Sequence, residues 1–423
     1  MKFDTPKNPN YSATVVRITS LVPLTGCDNV VGTPIFGMQA IVGKGTKEGD
    51  LGIVFPAESQ LSDDFCRENN MYRHNEKNKD IAAKGYIEDS RRVKAVKFRG
   101  HMSSCLFMPL SSLKYLGIKV DQLAEGDTFD QIKGKEICRK YVLREPTVRG
   151  NHQPQPKRFN RVDTKFIPEH FDTENYFRND RNIGGDETII VTQKLHGTSI
   201  RIANTIVARK LSLRERVAKL LGVKVQETEH DYVYGSRKVI KDVNNPYHNH
   251  FYTTDIWSTE GEKLKGLIPE NFIVYAELVG YTADGAAIQA DYTYNHQDKT
   301  CSLFIYRVAF VNGQGIVTDL DWDRVKAFCK ERNLKHVPEL WRGKHEEMDI
   351  KLFLENKLSE WHGDAVEVGG DKDLVDEGVC IRTDRYIPYI LKAKSQKFLE
   401  HETKMLDKEV IDLEASGSNE EVL

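Results

Sequence analysis

Short apolar runs separated by turn residues extend over almost the whole chain, and they restrict it to folds built largely from antiparallel strands. From Ser12 to about Pro109, strand-like runs are predicted at 13–18, 39–42, 52–55, 93–98 and 106–108. Several short strands at this spacing are typical of a small β-barrel or sandwich. The first part of the chain is therefore predicted to be a compact β domain.

The second part of the chain mixes strands with helices. Strand-like runs are predicted at 188–192, 272–278, 302–311, 378–382 and 389–393, and helical patterns at 212–221, at 319–333 and from 395 to about 413. This mixture is typical of an α+β domain. A polar, proline-bearing stretch at 148–157 lacks periodicity and is predicted to be a linker. We predict two domains, 1–155 and 156–423, which suits a chain of 423 residues.

Composition excludes several classes of protein. The chain has 61 Lys plus Arg against 63 Asp plus Glu and is 39% hydrophobic, which is an ordinary globular balance. Its seven cysteines form no C-x-x-C pair, which argues against a disulfide framework and a structural zinc site. No apolar run approaches the ~20 residues of a membrane span, and the N-terminus has no signal-peptide pattern. We expect an intracellular, cytoplasmic protein with reduced thiols.

Charge is distributed unevenly along the chain. Segment 133–165 has ten Lys or Arg against three acids, whereas 398–423 has eight acids against two lysines. Segment 91–99 alternates basic and apolar residues, as a strand with one basic face would, and 209–224 is also basic. These segments are suited to neutralising the phosphates of a nucleic acid. They are equally compatible with ordinary solvated faces.

One segment has a pattern suited to nucleophilic chemistry. The sequence KLHGTS at 194–199 follows almost directly on the strand-like run 188–192. A lysine at a strand end, with a glycine three residues later that permits close backbone approach, is suited to attack on phosphorus and to formation of a lysyl phosphoramidate. Taken alone, K-x-x-G is also the pattern of a surface lysine before a turn.

Further short motifs follow this segment in a fixed order. They are YGSR at 234–237, YAELVG at 275–280, FIYR at 304–307, DEGV at 376–379 and LKAK at 391–394. The series resembles the motifs of the covalent nucleotidyltransferases, the superfamily of ATP-dependent DNA and RNA ligases and GTP-dependent capping enzymes. Steps of 83, 100 and 15 residues join Lys194, Glu277, Glu377 and Lys392, and they are compatible with the fold of that superfamily.

Two details resemble RNA ligases in particular. DNA ligases and capping enzymes usually carry an acid where His196 stands here, and they place their OB domain after the catalytic domain. The order found here is similar to that of the fifth RNA ligase family, known from Deinococcus and Naegleria, and of related phage enzymes. The resemblance implies an α+β protein, with an N-terminal OB-type β-barrel followed by an ATP-grasp-like nucleotidyltransferase domain of antiparallel sheets and helices.

The resemblance also implies roles for individual residues. Lys194 would be the nucleophile, and Lys392 and Lys394 would bind the α-phosphate and depress the pKa of Lys194. Glu277 and Glu377 would bind Mg²⁺ or Mn²⁺, with the nucleotide ribose as the alternative for Glu277. The other implied nucleotide-binding residues are Gln193, Leu195, Gly197, Arg237 and Tyr306, with Phe304 as the alternative for stacking on the base. RNA contacts are predicted for Ser199, Arg237, Arg91, Arg92 and Lys97.

The activity implied by the resemblance is that of an ATP-dependent RNA ligase. Such an enzyme, expected to be a monomer, would join RNA 3′-hydroxyl and 5′-phosphate ends in a nicked duplex through lysyl-AMP and RNA-adenylate intermediates. A DNA ligase or a GTP-using capping enzyme on the same fold remains an alternative, as does a non-catalytic OB-containing RNA-binding protein. The joint presence of the three lysines and the two glutamates argues against the last, because loss of turnover would be expected to remove at least one.

Overall fold

The structure, a computed structural model, describes residues 3–143, 161–241, 252, 254–355, 358, 363–369 and 374–410. The predicted linker, the boundary at 155/156 and the acidic residues after 410 lie outside these ranges. The helices are α1 (Asp63–Glu68), α2 (Tyr176–Asn179), α3 (Leu213–Leu220), α4 (Ile256–Glu262), α5 (Trp322–Glu331), α6 (Ile350–Phe353) and α7 (Gln396–Asp407). We call residues 3–143 the N-terminal unit and the described residues from 161 onwards the C-terminal unit.

The N-terminal unit is built from short antiparallel strands. They are β1 (Ala13–Arg17), β2 (Val22–Pro23), β3 (Val30–Ile35), β4 (Met38–Gly43), β5 (Leu51–Pro56), β6 (Ser59–Leu61), β7 (Val96–Phe98), β8 (His101–Ser103), β9 (Cys105–Pro109), β10 (Thr128–Phe129), β11 (Gln131–Ile132), β12 (Lys135–Glu136) and β13 (Cys138–Lys140). One sheet has the order β10-β1-β5-β9, another β2-β3-β4, and the rest are two-stranded. The hydrogen bonds between these described strands do not close into a barrel.

The C-terminal unit contains two larger sheets. Its strands are β14 (Glu174–Asn175), β15 (Thr188–Lys194), β16 (Thr198–Ala208), β17 (Thr228–Gly235), β18 (Ile240–Lys241), β19 (Phe272–Gly280), β20 (Cys301–Val311), β21 (Val317–Asp319), β22 (Glu339–Lys344), β23 (Gly378–Thr383) and β24 (Ile390–Lys394). The sheets have the orders β14-β24-β23-β15-β22 and β18-β17-β16-β19-β20-β21. The predicted α+β mixture is therefore confirmed.

The turn at 195–197 joins the two sheets of the C-terminal unit, since β15 belongs to the first and β16 to the second. A buried apolar cluster at this junction includes Ile190, Ile200, Trp257, Val274 and Phe398. Burial of such side chains contributes about 1.5–3 kcal/mol each. The core therefore fixes the end of β15, where Lys194 lies, at the meeting point of the two sheets.

Helix boundaries follow from capping side chains. Asp321 caps α5 by accepting a hydrogen bond from the Arg324 amide at 2.9 Å, so the helix begins later than the predicted 319. Residues 317–319 form β21 instead, which pairs with β20. The basic segment 209–224 contains α3 as predicted, with a Ser212/Glu215 capping box and no buried residue. A nucleic-acid contact by α3 stays a prediction.

The predicted basic strand at 91–99 is mostly not a strand. Only Val96–Phe98 forms a strand, Arg92 makes an isolated bridge with Gln60, and Val93 and Ala95 are buried. The side chain of Arg92 is 2% exposed and lies beside Glu58, with Nε and Oε2 3.4 Å apart, and it also pairs with Asp407. The alternating pattern thus reflects burial of Arg92 at an interface between the two units, and a continuous basic face does not form.

Helix α7 holds the two units together. The Thr403 hydroxyl donates to Glu58 Oε1 at 2.5 Å and accepts from the Ala95 amide at 3.0 Å. One turn earlier, Glu400 pairs with Lys97 at 3.1 Å. We call this contact between α7 and the N-terminal unit the unit interface. In the described residues α7 ends at Asp407, short of the predicted 413.

All seven cysteines are free thiols, and Cys66, Cys105, Cys138 and Cys329 are buried. Among the described helices, none is long and apolar enough to cross a bilayer.

We predict that the unit interface makes stability depend on pH through Glu58. Burial raises the pKa of Glu58 from 4.5 to about 7, although Arg92 opposes this shift. The folded state therefore keeps a proton that the unfolded state loses, so the stabilisation is complete below about pH 4.5 and is lost as the pH rises through about 7. Relative to Glu58→Gln, the wild-type free energy of unfolding should fall by about 3 kcal/mol across this range.

Chemical denaturation of both proteins between pH 4 and 8 measures this difference. Glu125→Gln, which changes an exposed carboxyl group of the same unit, serves as the matched control and should keep the wild-type slope. Equal pH slopes for wild type and Glu58→Gln would contradict the prediction.

Candidate active site

Three lysines of the predicted motifs converge because β23 lies between β15 and β24. Gly378, the first residue of β23, is opposite Lys194 on β15 and opposite Lys394 on β24. Two residues along, Cys380 is opposite Lys392. Residues two apart in a strand share a face of the sheet, so Lys194, Lys392 and Lys394 all project from the same face.

Glu377 lies at the centre of this group, directly before β23. Its Oε2 accepts a hydrogen bond from Lys194 Nζ at 2.8 Å and lies 3.6 Å from His196 Nδ1. Its Oε1 lies 3.7 Å from Lys394 Nζ. The Glu377 side chain is only 5% exposed, so Lys194 and Lys394 compensate a charge that water hardly reaches.

The ion pair determines the pKa values of both partners. Burial alone would lower the pKa of Lys194, but the Glu377 and Glu277 carboxylates outweigh burial and raise it above its ordinary value. Burial alone would raise the pKa of Glu377, but Lys194, His196 and Lys394 bring it below its ordinary value. The expectation that Lys392 and Lys394 depress the pKa of Lys194 is therefore wrong, because the nearest charges are carboxylates.

Lys392 has the electrostatic environment that was expected for Lys194. Burial lowers the pKa of Lys392 to about 8, and the neighbouring Lys394 and Lys194 add to the shift. Lys394 differs: burial would lower its pKa, but Glu402, Tyr11 and Glu377 together outweigh burial and raise the pKa above its ordinary value. The three lysines thus have different protonation properties although they share one face.

Glu277 shapes the turn that follows Lys194. Its Oε1 accepts from the Gly197 amide at 3.0 Å, and its Oε2 accepts from the Ser199 hydroxyl at 3.4 Å. A Cβ atom at Gly197 would lie 2.0 Å from the Leu278 carbonyl oxygen. Only glycine therefore fits this close approach, as expected from the K-x-x-G pattern.

The side chains of Gln193 and Leu195 are not directed at a nucleotide. Gln193 is 2% exposed, and its amide group donates to the Val366 carbonyl at 2.8 Å and accepts from the Val366 amide at 2.8 Å. Leu195 lies in the apolar core. These placements do not support the nucleotide contacts predicted for the two side chains, and they show that both residues hold the Lys194 strand end in place.

Tyr306 lies on β20 at a position that alternation along the strand does not predict. The β19–β20 register shifts between Tyr275 and Ala276, which pair with Arg307 and Ile305, so Tyr306 falls at a β-bulge. Its ring meets His170 edge-on, with centroids 5.0 Å apart. Phe304 is buried in the core, which favours Tyr306 over Phe304 as the stacking residue.

The segment 166–172 lies along the same site. Arg201 Nη1 donates to the Ile167 carbonyl at 2.7 Å, and the Tyr275 hydroxyl donates to the Pro168 carbonyl at 3.0 Å. His170 is thereby held 3.4 Å from Arg307 Nη1. Burial, aided by Arg307, lowers the pKa of His170 well below its ordinary value. His170 therefore serves as a neutral polar group beside Tyr306.

The residues predicted to contact RNA have separate locations. Arg237 lies near Lys392 and forms an ion pair with Asp172. Ser199 lies against Glu277, and Lys97 pairs with Glu400 at the unit interface. Arg92 is buried, which does not support an RNA contact. Arg91 is half-buried and has a left-handed backbone, with φ of 56°.

Sequence reasoning missed three residues of the site. His170 lies beside Tyr306, and Cys380 directly follows the DEGV motif, at a position that places it on the lysine face. Glu402 contacts Lys394 through both carboxylate oxygens, at 3.0 and 3.1 Å. Its only signal in the sequence is its helical spacing from Phe398, four residues earlier, which also faces the site.

The described residues contain no group of three or more His, Cys, Asp or Glu side chains placed to hold a metal ion. The carboxylates of Glu277 and Glu377 are oxygen donors of the kind that Mg²⁺ and Mn²⁺ prefer. Both Glu277 oxygens already accept hydrogen bonds in the turn. The chemistry of the donors therefore fits an ion that takes most of its ligands from phosphate and water, with Glu377 as the better placed carboxylate.

Comparison with known structures shows which fold this is. The chain is similar to Naegleria gruberi RNA ligase solved with PPi, with 16% identity, a TM-score of 0.58 and coverage of 93% of this chain and 98% of that one. A variant of that enzyme solved with ATP and Mn has a TM-score of 0.56 at 16% identity, with coverage of 94% of this chain and 99% of that one. Another variant, solved with AMP and Mn, has a TM-score of 0.56 at 17% identity, with coverage of 92% of this chain and 98% of that one. At this identity the likeness establishes a shared fold.

Comparison at the level of sequence identifies a domain. The chain matches no curated protein. Residues 187–396 match the RNA ligase family model, and this range contains Lys194, Glu277, Glu377, Lys392 and Lys394. Residues 187–396 are thus an RNA ligase domain.

Proposed function

We propose that the chain is an ATP-dependent ligase that joins RNA 3′-hydroxyl and 5′-phosphate ends, with Lys194 as the nucleophile. The observation that carries the proposal is the convergence of Lys194, Lys392 and Lys394 around Glu377 inside an RNA ligase domain. ATP as the nucleotide is supported by a shared fold with the Naegleria gruberi enzyme, which was solved with ATP and with AMP.

In the first step, Lys194 Nζ attacks the α-phosphorus of ATP. A nitrogen–phosphorus bond forms, the bond to the bridging oxygen breaks, and pyrophosphate leaves with the electron pair of that bond. The amine attacks only when neutral, and Lys194 is held protonated by Glu377. Binding must therefore weaken the Lys194–Glu377 ion pair so that Nζ loses its proton before attack.

Two further steps complete the reaction. A 5′-phosphate oxygen of RNA attacks the lysyl-AMP phosphorus, and the bond to Lys194 breaks. The 3′-hydroxyl oxygen then attacks the 5′ phosphorus, AMP leaves, and a phosphodiester forms with loss of the hydroxyl proton. Such phosphoryl transfers depend mainly on positioning and on neutralising charge, and Lys392 and Lys394 supply two cations on the face of Lys194.

A divalent ion, Mg²⁺ or Mn²⁺, would be held by Glu377 with assistance from Glu277. When bound it neutralises phosphate charge and polarises the phosphoryl group. Tyr306 is proposed to stack on the purine, and Arg237 to contact nucleotide or RNA phosphate. Gly197 is proposed to allow close approach of the nucleotide to the backbone.

We also propose that the N-terminal unit is an OB-type RNA-binding domain within 1–155 and that 156–423 form the catalytic domain. The proposal is supported by the short antiparallel strands of the unit and by structural similarity that covers more than nine-tenths of the chain. A nicked duplex as substrate and a monomeric enzyme remain part of the same proposal. A panel of nicked RNA, nicked DNA and single-stranded RNA, combined with analytical ultracentrifugation, tests both.

Replacement of Lys194 by alanine should abolish covalent labelling by α-labelled ATP, because Lys194 is the residue proposed to form the phosphoramidate. The measurement is denaturing electrophoresis after incubation with a divalent ion and without RNA. Lys351→Ala, an exposed lysine on α6, is the matched control and should label like wild type. Labelling by GTP instead of ATP, or no label in folded wild type free of bound AMP, would contradict the proposal.

Replacement of Gly197 by alanine should slow lysyl-AMP formation by about 100-fold, because the new Cβ would force the turn beside Lys194 out of position. The rate of label incorporation in a single turnover measures the effect. Gly313→Ala is the control, since its Cβ would meet only Ile206 Cδ1 at 4.0 Å. A normal rate in Gly197→Ala would show that the turn tolerates displacement.

A further inference from the structure

We propose that Glu402 is a positioning residue for Lys394 and that the N-terminal unit fixes Glu402 through the adjacent residue Thr403. Docking of the N-terminal unit on α7 would thus set the position of a lysine in the active site. The inference rests on the proposed function for the role of Lys394, and its geometric part stands independently of that function.

The first step is the contact between Glu402 and Lys394. Both carboxylate oxygens of Glu402 accept hydrogen bonds from Lys394 Nζ, at 3.0 and 3.1 Å. The Glu402 side chain is 8% exposed and that of Lys394 is 20% exposed. Glu377, the other carboxylate near Nζ, is farther away, at 3.7 Å. Glu402 is therefore the residue that determines where the ammonium group lies.

The second step is the short connection between the strand and the helix. Ser395 alone separates β24 from α7, and its hydroxyl both accepts from the Phe398 amide at 3.0 Å and donates to the Asp376 carbonyl at 3.0 Å. The helix is thus anchored beside the DEG motif. Phe398 and Glu402, one turn apart, face Lys394, with the Phe398 ring centroid 5.0 Å from Nζ.

The third step is that a neighbouring face of α7 packs on the N-terminal unit. This face consists of residues three or four positions apart, namely Gln396, Leu399, Glu400, Thr403 and Asp407. Thr403 makes three contacts there: with Glu58 at 2.5 Å, with the Ala95 amide at 3.0 Å and, through its carbonyl, with Arg92 Nη2 at 3.2 Å. Because Thr403 directly follows Glu402, these bonds fix the helical turn that carries Glu402.

The N-terminal partner of Thr403 is itself held firmly. Glu58 lies in the turn between β5 and β6 with a left-handed backbone, at φ of 64°. Its amide donates to the Val93 carbonyl at 2.7 Å, and its carbonyl accepts from the Tyr141 amide at 2.8 Å. A cavity of about 60 Å³ at this junction is lined by Lys394 and Glu402 together with Tyr11 and Met38. Both units therefore form the immediate surroundings of the pair.

A consequence follows for the position of Lys394. Lys194 and Lys394 both lie opposite Gly378, on the two strands that flank β23. Held at this position by Glu402, the Lys394 ammonium group can neutralise the phosphate that reacts with Lys194. Without Glu402 the long side chain is no longer fixed beside that phosphate.

The test compares Glu402→Gln with Glu409→Gln. Both substitutions remove one negative charge, but Glu409 is an exposed residue beyond the end of α7. Single-turnover lysyl-AMP formation is measured over a range of ATP concentrations, which separates ATP affinity from the maximal rate. The maximal rate of Glu402→Gln should be at least about tenfold below that of wild type, because an unfixed Lys394 no longer neutralises the reacting phosphate. Glu409→Gln should match wild type in both quantities.

Two further variants separate positioning from stability. Glu402→Asp keeps the charge and should partly restore the maximal rate. Thr403→Val removes the hydroxyl bonds to the N-terminal unit and should slow the same step while Glu402 is intact. Thermal unfolding confirms that each variant is folded. A Glu402→Gln enzyme with the wild-type maximal rate would overturn the proposal, as would equal slowing in Glu409→Gln.

A readout without catalysis keeps this proposal distinct from the proposed function. A water-soluble carbodiimide joins a carboxylate and an amine that are in contact through an amide bond, and the carbodiimide takes up the lost water as a urea. Mass spectrometry should find the Glu402–Lys394 cross-link in wild type and in Glu409→Gln, and its yield should fall in Thr403→Val. An unchanged yield in Thr403→Val would overturn the role of the N-terminal unit even if the enzyme labels with ATP, whereas a lower yield in a protein that fails to label would retain that role and reject only the proposed function.

Discussion

The ion pair between Lys194 and Glu377 is the interaction on which the rest of the site depends. It forms because β23 lies between β15 and β24, so that Glu377 precedes the strand that both lysine-bearing strands flank. A carboxylate with 5% exposure requires cations around it, and Lys194 and Lys394 supply them. The same pair keeps Lys194 protonated, so the proposed nucleophile is unreactive in the free protein. Substrate binding must then alter the electrostatics before the chemistry can start.

Helix α7 gives the site a second dependence, on the N-terminal unit. One face of the helix carries Glu402 toward Lys394, and the neighbouring face carries Thr403 toward Glu58. Buried polar contacts of this kind add little net stability, but a buried polar group that loses its partner destabilises the folded state. The two units must therefore keep one relative position for all of these contacts to form. The N-terminal unit is thus structurally connected to the active site, in addition to any role in binding RNA.

Much of this arrangement was predictable, and the failures have identifiable physical causes. The motif order predicted that Lys194, Lys392 and Lys394 belong to one site, and the structure places all three on one face of the sheet, because residues two apart in a strand share a face. The expected lowering of the Lys194 pKa was wrong. The motifs indicate that lysines and carboxylates lie near Lys194, but they do not show that the nearest charge is the Glu377 carboxylate. Arg92 was expected on a basic surface, yet its pattern arises from burial against Glu58 and Asp407. Alternation also failed at Tyr306, where a β-bulge shifts the register.

The sequence by itself determined most of the strands and helices, the α+β character and the series of motifs that resembles RNA ligases, since these depend on local periodicity and on short motifs in fixed order. Only the tertiary structure decided which carboxylate pairs with which lysine, how the turn at Gly197 is held by Glu277, and that α7 joins the two units. These features rest on contacts between residues far apart in the chain, such as Glu58 with Thr403 and Lys194 with Glu377. Local patterns do not encode such contacts, because they arise from how the sheets and helices pack.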